Sequence, residues 1–245
     1  MNISFFRTYE REMSSFQRLA TGILIFLLVY SLSLFVFPHV LSLPLPSGVV
    51  PQISFLFLSL LLVGTVGKGR FREFGFQGTS LRTMGRALGI AFAVSAPLTF
   101  LNLVIMSILM GPSAGPEGGP SPSGILELIL TVWILASTCE EIFYRGFLQS
   151  FLNPLRNYGI TIAAWRIQAP ILCSAALFAL GHLCLLGSMP GPFVGLIVFS
   201  CFVNGILAGH FRDRSGSLLP AIGVHMMFNV TGMAIPSILM LLMSP

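Results

Sequence analysis

The chain has 245 residues, 55% of them hydrophobic and 9% charged, with a net charge of +5 and a mean hydropathy of +0.90. A soluble domain carries roughly 25% charged residues, and 13 basic plus 8 acidic side chains cannot cover a water-facing surface of this size. Composition therefore excludes an ordinary soluble domain, and the positive excess reads as the loop chemistry of a membrane protein, not as a nucleic-acid surface.

The first 18 residues carry Arg7, Glu10, Arg11, Glu12 and Arg18 ahead of an apolar run. That run, 19–37, is too long for a signal h-region and lacks a small-residue cleavage site, so it reads as a retained first helix. Further apolar runs follow at 49–66, 84–110, 125–151, 169–189, 192–209 and 218–243. Each approaches the roughly 20 residues that a spanning helix needs. The last contains Gly232 and Pro236, so it is one kinked helix or a helix plus a short eighth segment. The expectation is an all-α, polytopic transmembrane bundle of seven to eight spans, a single domain over 1–245.

Between the runs, loop chemistry sets orientation. Arg7, Arg11 and Arg18 precede the first run; Lys68, Arg70, Arg72, Arg82 and Arg86 follow the second. Arg145, Arg156 and Arg166 lie in or after the end of the fourth, and Arg212 and Arg214 follow the sixth. With alternating spans all of these fall on one side, which the positive-inside rule makes cytoplasmic, N-terminus included. The segment 69–82 mixes Arg70, Arg72, Glu73 and Arg82 with Phe71, Phe74 and Phe76. It reads as an interfacial segment on the leaflet or as a basic loop with buried phenylalanines. Residues 111–124 form a Gly/Pro/Ser linker on the opposite side. The expected location is a multi-pass place in a prokaryotic cytoplasmic membrane, in contact with lipid. No sequence feature specifies an oligomer.

Cys139, Cys173, Cys184 and Cys201 all lie in apolar stretches without a CxxC pair. They read as small hydrophobes, neither a disulfide framework nor a zinc knuckle.

Ionisable side chains inside spans are expensive and need a role. Glu140 and Glu141 are adjacent in the fourth run, and helical neighbours point about 100° apart. Glu141 and Arg145 are four apart and can pair, which leaves Glu140 without a local cation. His182 follows Phe178 by four residues in the fifth run; Phe178 can pack on the ring or on a substrate. His225 and Asn229 share a face of the last run. At 1.5 Å per residue, Glu140 lies about 16 Å, His182 about 18 Å and His225 about 10 Å from the cationic end, so one cavity could take all three. His39 lies in an outer loop and His210 at the inner end of the sixth run, and both fit less well.

Glu-Glu-x-x-x-Arg at 140–145, Phe-x-x-x-His at 178–182 and His-x-x-x-Asn at 225–229, in that order on separate helices, resemble the CPBP family of intramembrane proteases. That family includes the CAAX prenyl proteases (type 2) and the Abi proteins. Asn204-Gly205-Ile206-Leu207-Ala208-Gly209 and Arg214-Ser215-Gly216-Ser217-Leu218 are also similar to its pattern, and the resemblance covers about 120–230.

It implies an intramembrane endopeptidase acting on a membrane-associated peptide or protein, prenylated or not. Glu140 and His182 would activate water, His225 and Asn229 would bind the oxyanion, and Glu141, Arg145 and Phe178 would support them. Base and oxyanion donors are what peptide hydrolysis requires. Glu140, His182 and His225 also make a set that Zn²⁺ could take with an open position, so metal and metal-free chemistry both stay open. Two rivals remain. An inactive scaffold or immunity protein on this fold would have lost a catalytic residue, and none is missing. A proton-coupled transporter would show inverted repeats, and none is visible.

Overall fold

A computed structural model describes residues 13–41, 48–111, 122–162 and 165–243. Helix α1 spans Ser15–Val40. It begins four residues before the apolar run because Ser14 and Gln17 form a capping box: the Gln17 amide donates to Ser14 Oγ at 3.2 Å, and the Ser14 amide donates to Gln17 Oε1 at 2.8 Å. A π-helical turn at Leu32–Val36 interrupts it. Helices α2 (Val49–Val66) and α3 (Leu81–Met110) follow. Helix α4 occupies 122–151, with π-helical segments at Ile129–Ala136 and Ile142–Leu148 on either side of the α-helical Ser137–Glu141.

Helix α5 spans Ala169–Gly187; it opens with Pro170 in its first turn and tightens to a 3-10 helix from His182 onward. Helix α6 is Gly191–Ser215, and α7 is Leu219–Met243. Helix α7 is continuous through Pro236, so the last run is one helix. Among the described residues, six helices (all but α4) are long and apolar enough to cross a membrane, and the all-α membrane bundle stands.

Between α4 and α5 the chain makes an antiparallel hairpin that the apolar pattern does not announce: β1 (Gly159–Ile162) pairs with β2 (Trp165–Gln168), Ile160 opposite Ile167 and Ile162 opposite Trp165. These four side chains share one face, because partners in register do. Ile167 is buried, and Ile160, Ile162 and Trp165 are exposed.

Helix α4 sits at the centre, and every residue from 141 to 149 is buried. Phe143, Tyr144, Phe147 and Phe151 stack into a core with Phe26, Phe55, Phe74 and Phe178. A second core is built from small residues, Ala87 and Ala91 of α3 against Ala208, Ala221 and Val224. Small side chains let helix backbones approach closely, which drives association in lipid where the hydrophobic effect between helices is lost.

One end of the bundle gathers the described basic residues, Arg145 excepted. Arg18 donates to the Phe151 carbonyl at 3.1 Å, and Arg212 donates to the Glu73 carbonyl at 3.0 Å and to Ser150 Oγ at 3.4 Å. The segment after α2 is a latch on this end. Phe74 is buried, the Leu218 amide donates to the Gly75 carbonyl at 2.9 Å, and Ser217 Oγ donates to the Gln77 carbonyl at 2.6 Å. Gly75 turns it at φ 95°. A Cβ there would stand 2.6 Å from Arg212 Nε, so only glycine fits. Arg145, counted above with the loop charges, is instead fully buried. Arg7, Arg11 and most of the 111–124 linker lie outside the described residues.

Candidate active site

Helix α4 carries the carboxylates at the α-helical turn between its two π segments. Such π-helical segments are frequent at functional sites because they reorient side chains locally. Glu141 and Arg145 form the expected i,i+4 pair, Nη1 to Oε1 3.0 Å, with both side chains wholly buried. The same Glu141 oxygen lies 2.9 Å from His225 Nδ1. A carboxylate accepts, so that nitrogen carries the hydrogen, and Nε2 is the free end of the ring. It faces Glu140, 3.9 Å from Oε2. That is too long for a direct hydrogen bond.

Glu140 has no arginine or lysine partner among the described residues. Its Oε1 accepts from Gln52 Nε2 at 3.1 Å. Its side chain is 19% exposed, against 0% for Glu141. The adjacent glutamates therefore occupy two environments: one locked between an arginine and a histidine, the other open on one side and held by a neutral amide.

His182 lies where α5 tightens. Its Nδ1 is 3.0 Å from the Phe178 carbonyl, and its ring also hydrogen-bonds the Cys201 side chain. The Phe178 ring packs edge-on against both histidines, 5.0 Å from His182 and 5.2 Å from His225 between centroids. The Arg145 guanidinium stands 4.7 Å over the same ring, a cation–π contact. Phe178 thus packs on the rings, one of the two options the sequence left. His182 is within charge–charge range of Glu140.

Asn229 faces α4, not open space. Its Nδ2 donates to the Val132 carbonyl at 3.2 Å and to Ser137 Oγ at 3.0 Å, so both amide hydrogens are engaged. Tyr30 Oη of α1 donates to the Gly181 carbonyl just before His182. Sequence reasoning passed over Gln52, Tyr30 and Ser137. Gln52 carried a usable signal, a primary amide in an otherwise apolar run.

Behind the site, Gly205 and Gly209 form one face of α6, four residues apart. A Cβ at Gly205 would meet Ala175 Cβ at 2.7 Å and Arg145 Nη2 at 2.8 Å. The missing side chain is what lets α6 lie against α5 and leaves room for the guanidinium.

Among the described residues, no three His, Cys, Asp or Glu side chains are grouped to hold a metal ion. Glu140, His182 and His225 do not form such a group, and Glu141 engages Nδ1 of His225. No step below is routed through a metal.

Two glutamates and two histidines on three helices at the heart of an apolar bundle define a membrane protein with ionisable side chains gathered in its core. Residues 122–231 match the model of the family described as type II CAAX prenyl endopeptidase, Rce1-like, and the chain carries a domain of this CAAX-protease family. Glu140, Glu141, Arg145, Phe178, His182, His225 and Asn229 all fall within the matched segment; Tyr30 and Gln52 do not. No curated protein and no solved structure matches the chain.

Proposed function

We propose that this protein is an intramembrane endopeptidase that hydrolyses a peptide bond near the C-terminus of a membrane-bound peptide, prenylated in keeping with the words CAAX prenyl endopeptidase in the family's description. The supporting observation is the inequality of the paired glutamates. Glu140 is partly open and held by a neutral amide, so it is free to take a proton; Glu141 is wholly buried and neutralised by Arg145.

In this reading a water molecule is bound between Glu140 and the His225–His182 side of the site. Glu140 accepts one of its protons as the oxygen attacks the carbonyl carbon, and His182, as the imidazolium, donates from Nε2 to the water oxygen. His225, its ring held at Nδ1 by Glu141, donates from Nε2 to the developing oxyanion. Asn229 contributes a second donor by exchanging Ser137 for the oxyanion. The proton held by Glu140 passes to the leaving amine, the C–N bond breaks, and the products are a carboxylic acid, which then ionises, and an amine.

The topology proposed with it is seven crossings with a cytoplasmic N-terminus. Both α3 and α5 start at the cationic end, and the chain can return from one to the other only if α4 crosses as well. The positive-inside rule makes that end cytoplasmic.

Purified protein in liposomes, given a fluorogenic peptide ending in a farnesylated CAAX sequence, tests the activity. Cleavage by the wild type and its loss in Glu140→Gln are expected. Equal cleavage by Glu140→Gln would remove Glu140 as the base. Cleavage of the unmodified peptide at the same rate would remove the prenyl group from the reading.

A further inference from the structure

Gln52 stands outside the family-matched segment, in the first turn of α2, a helix that is otherwise almost wholly apolar. A primary amide there carries an insertion penalty that a leucine would not. Its Nε2 donates to Glu140 Oε1 at 3.1 Å. The opposite amide orientation would set two acceptors against each other, so the carboxylate fixes which end of the amide faces it. The carbonyl end is then turned away, and it is the informative atom: Gln52 Oε1 is buried and has no donor among the described residues. Buried acceptors normally have partners. A donor is required beside Glu140, and the chemistry of the site supplies one kind, an O–H.

We infer that Gln52 is a positioning residue that orients both the Glu140 carboxylate, through Nε2, and the attacking water, through Oε1. The inference rests on the reading of Glu140 as the base. Water has two hydrogens. One is donated to the Glu140 carboxylate and leaves with it; the other is held by Gln52 Oε1 and stays on the oxygen that attacks. With both hydrogens fixed, a lone pair is directed at the carbonyl carbon, which is the orientational gain that positioning provides. Gln52 exchanges no proton. The site is then incomplete in the matched segment alone and takes a functional side chain from the N-terminal part of the chain.

The test uses the full-length protein in liposomes with the farnesylated peptide, comparing wild type, Glu140→Gln, Gln52→Met and Gln52→Glu. Methionine matches glutamine in length and flexibility and removes both hydrogen bonds. Gln52→Met is expected to lower kcat by about 100-fold with KM and melting temperature near wild type. The acid limb of its pH–rate profile should move to higher pH, because the carboxylate has lost a donor. Gln52→Glu keeps the shape but sets two carboxylates together; it should be inactive at neutral pH and regain activity as the pH falls and the pair shares a proton. A wild-type kcat and unmoved acid limb in Gln52→Met overturn the inference. If Gln52→Met does not fold, a wild-type pH profile in Gln52→Glu overturns it. Activity retained by Glu140→Gln is a separate result and overturns the base itself.

Discussion

His225 Nδ1 lies 2.9 Å from Glu141 Oε1, the oxygen that also takes Arg145 Nη1 at 3.0 Å. One carboxylate oxygen thus ties α7 to α4 and fixes which nitrogen of His225 faces Glu140. The contact divides the work of the adjacent glutamates, Glu141 holding the ring and Glu140 facing its free end.

That division is measurable. Glu141→Gln leaves a fully buried guanidinium without its counter-charge, and breaking a buried pair costs about 3–5 kcal/mol. A clearly lower melting temperature in detergent is expected for Glu141→Gln. Glu140→Gln keeps the shape and the neutral partner, so its melting temperature should match wild type while its activity is lost. Equal melting temperatures for the two variants would contradict the assignment.

Gly205 tests the packing behind the site. An added methyl would lie 2.8 Å from Ala175 Cα, 2.7 Å from its Cβ and 2.8 Å from Arg145 Nη2. The backbone of α5 cannot give way without opening the α5–α6 contact. Gly205→Ala is expected to destabilise by about 1–3 kcal/mol and to lower activity through Arg145. Gly195→Ala on the same helix meets nothing within 4 Å and should be neutral or slightly stabilising. Similar unfolding curves for the two would show that the close approach is not needed.

Asn229 offers a sharper comparison. If it serves the oxyanion, Asn229→Ala should lose about 100–1,000-fold in kcat with little change in KM. Ser137→Ala, which frees one Asn229 N–H, should stay within about tenfold of wild type, since no oxyanion donor is removed. If Asn229 only pins α7 to α4, both variants should fall together. The ratio of the two kcat values decides.

Orientation follows from the charge asymmetry. In a background without the four native cysteines, Ser188→Cys lies between α5 and α6, and Asn157→Cys lies beside the hairpin at the cationic end; both positions are exposed. In intact cells an impermeant maleimide should label the first and spare the second until the membrane is permeabilised. The reverse pattern would invert the topology.

Much of this molecule is linear information. Continuous apolarity marks the helices, and the run read at 49–66 coincides with Val49–Val66. The alternation of basic loops places the cationic end, and a four-residue spacing suffices to predict the Glu141–Arg145 pair, because neighbours on a helix are neighbours in sequence. The π segments of α4 and the hairpin at 159–168 were not legible, since the first apolar run and the third look alike whatever the hydrogen-bond register. Nor could spacing show that Gln52 would meet Glu140, that Phe178 would pack against both histidines, or that Asn229 would turn its amide to Ser137. Those contacts depend on how each helix is rotated about its axis. In lipid, apolar faces look alike from inside and outside the bundle, so hydropathy carries little of that rotation. It was decided by close packing, by the contact that Gly205 permits between α5 and α6, and by the few polar groups that had to find partners among the helices.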